Sequence, residues 1–309
     1  MLLVVGPGAM GTLLAASLAR AGFEVKLLDR DPDRARRLSQ KPLVVIDPSG
    51  APWEASVPVL SEPPSEVEVT FLCVKTGATE AAVARLAGSG TVAVLQNGCE
   101  RAAAVGALLG APERVVGLVT SEGATRGAEG RVRHGGRGLT QVGSLTPEGA
   151  PRAVRVVELL QAAGWDARLG EVRQASWEKL LVNAAINALT GILDCPNGVL
   201  LASAEASALA DEAAREVARV ASAIGVSGDW EPARATAAWR DVALHTSANI
   251  SSTLQDLRRS QTTEVRAING SVARLAAEHG LRAPINDLLC RLVAARQDVA
   301  THRDPGEAE

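Results

Sequence analysis

The sequence predicts an α/β protein whose N-terminal half is a doubly wound parallel sheet and whose C-terminal half is all helical. Three observations carry this. The apolar run Leu2-Leu3-Val4-Val5 leads directly into Gly6-Pro7-Gly8-Ala9-Met10-Gly11. Apolar strand-like runs then alternate with helical stretches as far as Leu95, the spacing of β-α-β units. Beyond Leu169 strand signals largely vanish and long helical patterns take over, which places the boundary between residues 1–170 and 171–309.

The elements follow in order. Leu2 to Val5 is continuously apolar, as expected of a strand buried on both faces. An Ala/Leu-rich helix from about Thr12 to Ala21 is closed by Gly22. A second strand runs from Phe23 to Leu28, followed by a helix from Pro32 to Ser39. Short strands are expected between Pro42 and Leu60. Val67 to Val74 is another buried strand, with a helix after it through about Leu86, and Thr91 to Leu95 is a further strand. Glu122 to Gly143, rich in Gly and Arg, suits a small antiparallel pair. The helical patterns of the second half cover 171–190, 203–224, roughly 249–279 and 284–300.

Composition narrows the class. A chain of 309 residues suits two cores better than one, and 47 % hydrophobic with 22 % charged residues is ordinary for a soluble enzyme. A net charge of −3 supplies no basic field for nucleic acid or an anionic membrane. No stretch of about twenty residues is apolar throughout, so no membrane span is predicted. Gly6 ends the first apolar run too early for a signal peptide. Cys73, Cys99, Cys195 and Cys290 lack metal-type spacing, so neither a metal site nor a disulfide framework is expected, and a reducing cytoplasm is. His134, His245, His279 and His302 form no constellation, and the acidic tail from Asp304 to Glu309 is read as frayed.

Gly6 to Gly11 matches G-x-G-x-x-G after a strand and before a helix, the Rossmann-type arrangement. The first Gly permits the tight turn, the second lets the backbone approach a pyrophosphate, and the third allows close helix–strand packing. The cofactor-binding set is therefore Gly6, Pro7, Gly8, Ala9, Met10 and Gly11. At the end of the second strand the signals conflict. Asp29 suits the ribose 2′-hydroxyl of NAD, whereas Arg30, joined by Lys75, suits the 2′-phosphate of NADP. The balance favours NADP(H).

Lys occurs only at positions 26, 41, 75 and 179, with Arg everywhere else, so a retained Lys points to a need for its titratable amine. Lys179, Asn183 and Asn187 are spaced i, i+4 and i+8 in a helix that is otherwise almost wholly apolar. Asn is a poor helix former and unfavourable to bury without partners, so this stripe reads as an active-site face. A partly desolvated Lys179 is a usable general acid toward a developing alkoxide. A second stripe, Asn249, Ser252, Asp256 and Glu264, falls within roughly 60° on one continuous helix, where Asn and Ser would hold a substrate carboxylate and Glu264 would orient the ammonium. Against this stands a plainer reading of both stripes, as interhelical hydrogen bonding or a solvated face.

The glycine loop, Gln96-Asn97-Gly98, the segment from Trp177 to Thr190, Cys195-Pro196-Asn197-Gly198, Asn249-Ile250-Ser251-Ser252, Gln255-Asp256 and Glu264 together resemble the ketopantoate reductase family, in order over nearly the whole chain. The resemblance implies NADPH-dependent reduction of 2-dehydropantoate to pantoate, a step toward pantothenate and coenzyme A. It implies Lys179 as general acid with Glu264 as its partner in catalysis and in the binding of substrate and cofactor. It implies Asn183, Asn187, Asn197, Asn249 and Ser252 as substrate ligands, with Asn97 near both substrate and nicotinamide. It implies Arg30 and Lys75 at the 2′-phosphate, and leaves a homodimer open. Asp29, and Ala78 where some members carry a polar side chain, depart from the pattern. The rival readings are another small oxoacid reductase on a similar scaffold and an NADP(H)-binding sensor without turnover.

Overall fold

Strand β1 (Leu2–Val5) is buried at all four positions and lies between parallel neighbours β2 (Val25–Leu28) and β6 (Val67–Leu72). A strand covered on both faces has no polar side to show, which is why the run does not alternate. Each fully buried Leu or Val of this kind contributes roughly 1.5–3 kcal/mol. The computed structural model describes residues 1–86, 89–98 and 100–302; Cys99 and the acidic tail lie outside the described residues.

Helix α1 (Ala9–Arg20) begins three residues before the expected start, because Gly8 rather than Gly11 stands at its N-cap, so that the end of the glycine loop is already helical. Helix α2 (Pro32–Ser39) is capped by Asp31, whose carboxylate accepts from the amides of Asp33 and Arg34. Strands β3 (Leu43–Ile46), β4 (Pro52–Ala55) and β5 (Val59–Leu60) fill the segment expected to hold short strands. After β6 come helix α3 (Thr79–Val83), strand β7 (Ser89–Val94) and helix α4 (Arg101–Leu109). Strands β8 (Val115–Thr120), β9 (Gly123–Arg126), β10 (Arg131–Gly136) and β11 (Leu139–Ser144), helix α5 (Ala150–Ala162) and strand β12 (Asp166–Leu169) complete this part.

Among the described residues the main sheet is eight-stranded, in the order β12-β11-β8-β7-β6-β1-β2-β5. The six strands from β8 to β5 are mutually parallel, and β11 turns antiparallel against β8. The strand order runs outward from β1 in both directions, the doubly wound pattern. A second, four-stranded sheet has the order β4-β3-β10-β9. The antiparallel pair expected between Glu122 and Gly143 is β9 with β10, whereas β11 joins the main sheet. Helix α1 packs against all four strands of the small sheet as well as β1 and β2.

The chain divides into two compact units, residues 1–96 with 100–175, and residues 97–99 with 176–309. The second contains most of helix α6 (Val172–Leu193), then α7 (Val199–Ala202), α8 (Ala204–Ala223), α9 (Pro232–His245), α10 (Ser252–Arg258), α11 (Asn269–Glu278) and α12 (Pro284–His302). Its core is built on Trp177, Leu180, Leu181, Ile186 and Leu189 of α6, with Val217 and Trp239 from α8 and α9. No described helix is long and apolar enough to cross a membrane, and no described cluster of His, Cys, Asp or Glu has the makings of a metal site.

One expectation fails. The pattern over 249–279 is not one helix but α10 and α11, with a non-helical segment between them. Ser260 takes a left-handed conformation, φ 50°, and two bonds close the end of α10: Gln261 N–H to Asp256 O at 2.8 Å and Ser260 N–H to Leu257 O at 3.1 Å. This is a Schellman stop, in which a Ser stands where Gly usually does. Glu264 therefore does not share a helical face with Asn249, Ser252 and Asp256.

Candidate active site

The dinucleotide loop occupies the C-terminal edge of the parallel sheet. Gly6 has φ 103°, and a Cβ there would meet Val74 Cγ1 at 2.9 Å and Cys73 O at 3.1 Å. A Cβ on Gly11 would lie 2.0 Å from Gly6 O, so the loop closes only around glycine. Gly8 differs, because no atom lies within 4 Å of where its Cβ would sit. Its smallness answers to nothing in the protein and leaves bare backbone facing open space at the start of α1. No side chain caps that helix and no acid occupies its first turn. These residues fit a pyrophosphate, which helix N-terminal amides attract.

Because β2 and β6 flank β1 in parallel, the residues after each strand share an edge with the glycine loop. That places Arg30 and Lys75, both exposed, on the same edge. Asp29 is buried, and Arg34 binds its carboxylate with two nitrogens, Nη2 to Oδ1 at 2.7 Å and Nε to Oδ2. Sequence reasoning missed Arg34; its signal was the Asp-Pro-Asp start of a short helix directly behind the strand.

In the helical unit, α6 carries Lys179, Asn183 and Asn187 along one stripe while its other faces enter the core. Burial pushes the Lys179 ammonium down to about 8, and the Glu264 carboxylate acts in the opposite direction, favouring the charged form. Glu264 lies on the turn before α11, where its carbonyl accepts from the amides of Ala267 and Ile268. The turn is pinned to α12 by the Thr263 amide, which donates to Gln297 Oε1 at 2.9 Å. Asn97 Nδ2 donates to Glu264 Oε2 at 2.9 Å. Lys179, Glu264 and Asn97 thus form one charged, partly desolvated cluster.

Ser252 belongs to the same neighbourhood, with Asn187 Nδ2 3.5 Å from its Oγ, a long contact. Helices α6 and α10 approach closely there, since a Cβ on Gly191 would lie 3.0 Å from Thr253 Cγ2. Thr190 Oγ1 lies 2.8 Å from Ser251 Oγ, and Ser251 caps α10. This pair, unassigned from sequence, fixes where Ser252 stands. The turn at Asn197 is bound to the loop before α10: the Asn197 amide donates to Asn249 O at 3.0 Å, and its Nδ2 donates to Thr246 Oγ1 at 2.9 Å. Asn197 Oδ1 is buried without a hydrogen-bond partner. The Asn249 and Ser252 side chains are exposed.

Comparison with known proteins gives a consistent picture. Family models described as "Ketopantoate reductase PanE/ApbA" and "Ketopantoate reductase PanE/ApbA C terminal" match residues 2–147 and 171–297. A 2-dehydropantoate 2-reductase of Halobacterium salinarum is 32 % identical over 300 residues, covering 95 % of this chain and 98 % of that protein. The crystal structure of a PanE/ApbA family ketopantoate reductase from Ralstonia eutropha superposes with a TM-score of 0.86 at 30 % identity, over 98 % of this chain and all of the other. A D-mandelate dehydrogenase solved with NADH and anilino(oxo)acetate has a TM-score of 0.90 at 23 % identity over 98 % of this chain and 100 % of its own, a likeness of fold. With both halves matched by family models and a relative of this similarity spanning the full length, the chain belongs to the ketopantoate reductase family.

Proposed function

We propose that this protein reduces 2-dehydropantoate to (R)-pantoate with NADPH, a step toward pantothenate and coenzyme A. The observation that carries the reading is the Lys179 ammonium, lowered to about 8 by burial and facing the Glu264 carboxylate. When bound, the dihydronicotinamide supplies a hydride to the ketone carbon. The protein supplies the rest. Lys179 donates the proton to the carbonyl oxygen, and near pH 8 the ammonium is acidic enough to give it up while still populated. Glu264 keeps that ammonium charged between turnovers, and Asn97 holds Glu264 in place. Asn183, Asn187, Asn249 and Ser252 are the donors for the substrate carboxylate and hydroxyl, with Asn197 holding the turn that presents Asn249. Gly6 to Gly11 cradle the pyrophosphate, and Arg30 with Lys75 face the 2′-phosphate. The assembly proposed with this activity is a homodimer, which light scattering on the purified protein tests.

A second reading has a specific basis, since a D-mandelate dehydrogenase, solved with NADH and anilino(oxo)acetate, shares this fold. NADPH oxidation on adding ketopantoate, with benzoylformate beside it, separates the two. Turnover with ketopantoate at least tenfold above benzoylformate supports the proposal, and the reverse order replaces it. Removal of the proton donor by Lys179→Ala costs on the order of 10²–10⁴ in turnover with cofactor binding intact.

A further inference from the structure

A carboxylate at the end of the second strand of a dinucleotide-binding sheet ordinarily accepts from the ribose 2′-hydroxyl and repels a 2′-phosphate. Asp29 stands at that position, yet its carboxylate is withdrawn from any ligand. Its side chain is 0 % exposed. Oδ1 accepts from Arg34 Nη2 at 2.7 Å and from the Asp31 amide at 3.1 Å, and Oδ2 accepts from Arg34 Nε. The guanidinium meets the carboxylate fork to fork, the most directional pairing available to either group. The geometry is prepared by the backbone. Asp31 caps α2 and binds the Arg34 amide at 3.1 Å, so Arg34 sits in the first turn with its side chain folded back onto the strand end. Arg30, by contrast, is exposed on the sheet edge that carries the glycine loop.

We infer that Arg34 is a specificity-determining residue: by locking Asp29 into the fold it removes the acid that would select NADH, and leaves Arg30 as the charge that meets a 2′-phosphate. This rests on the proposed use of NADPH, and it shifts the determinant from the identity of residue 29 to the Asp29–Arg34 pair. Arg34 acts through Asp29 and is a positioning residue. Released, the carboxylate would face the ribose, attract its hydroxyl and repel its phosphate.

The test is direct binding of NADPH and of NADH to the ligand-free protein, followed by calorimetry, so that turnover plays no part. Arg34→Gln weakens NADPH binding about tenfold or more and tightens NADH binding several-fold, the size expected when one charge-assisted contact is lost and another gained. Adding Asp29→Asn to Arg34→Gln returns the NADPH-to-NADH ratio to within about threefold of wild type, because no carboxylate is left to release. An unchanged ratio in Arg34→Gln overturns the inference. So does an NADPH loss that persists in the double variant, which would mean that Arg34 touches the phosphate itself. Should Arg34→Gln not fold, Asp29→Asn alone decides, since Asn still accepts from Arg34. An NADH affinity within about twofold of wild type supports the lock, and a loss of about tenfold shows that Asp29 already reads the ribose and overturns it. Wild-type preference is a separate reading. Tighter NADH than NADPH binding in the parent protein refutes the NADPH assignment, while the change on mutation still judges the lock.

Discussion

Asn97 Nδ2 donates to Glu264 Oε2 at 2.9 Å, a bond between residues 167 positions apart. Asn97 follows strand β7, yet it packs with the helical unit. The carboxylate that keeps Lys179 charged is therefore aimed by a residue outside the helices. Asn97→Ala removes a charge-assisted hydrogen bond of about 1.5–3 kcal/mol. The expected result is a fall of roughly 10–100-fold in kcat/KM for the oxoacid, measured by steady-state kinetics, with the melting temperature lowered by only a few degrees.

The pH profile follows from Lys179. On the proposed mechanism the ammonium form is the donor, so turnover is expected to hold below about pH 8 and to decline above it as the proton is lost. Glu264 favours the ammonium, so Glu264→Gln lowers the Lys179 pKa further and moves the alkaline limb to lower pH. Rate profiles of the two proteins check this, and a limb that stays put or moves upward contradicts it.

The three glycines of the dinucleotide loop separate folding from binding. Gly8→Ala places its methyl in open space, at φ −77° and ψ −174°, which any residue adopts. It leaves the melting temperature within about a degree of wild type while weakening NADPH binding about tenfold or more, because the methyl intrudes where the pyrophosphate approaches. Gly11→Ala drives a methyl onto Gly6 O and destabilises the fold itself by several kcal/mol. Calorimetry and thermal melts on both variants distinguish the cases.

Glu216 is a stability residue of the helical unit. Its buried carboxylate accepts from the Ile285 amide at 2.9 Å, and from the Asn286 amide and Asn286 Nδ2 at 2.8 Å each. It thereby satisfies the N-terminus of α12, where the helix dipole also favours it. Asn286 Oδ1 in turn accepts from Asn269 Nδ2, which also reaches the carbonyl of Ala184 beside Asn183. Glu216→Ala orphans buried donors and costs about 3 kcal/mol or more, measured as a shift in the urea midpoint.

Ser260 marks the edge of what the sequence discloses. The glycine loop, the buried strands and the α6 stripe were legible because each obeys a local rule of spacing. The end of α10 was not, because its stop signal is a Ser in a glycine conformation, and the residues around it continue a helical pattern. The Asn97–Glu264 bond and the Arg34–Asp29 lock were equally hidden, since each depends on where a side chain reaches after the chain has folded. Helix α9 escaped notice because its Ala-rich turns carry little apolar periodicity beyond Ala235, Trp239 and Ala243. Ser260→Gly relieves the left-handed strain and stabilises the protein by about 0.5–1 kcal/mol, a change that chemical denaturation resolves.

The desolvation of Lys179 also has a consequence for chemical reactivity. At pH 8 about half of its amines are free bases, whereas an ordinary lysine offers about one in three hundred. Acylating and carbonyl reagents are attacked only by the free base, whose lone pair is available. A limiting amount of a small amine-reactive probe thus has a preferred target among the lysine side chains, and on the proposed mechanism cofactor and oxoacid protect it.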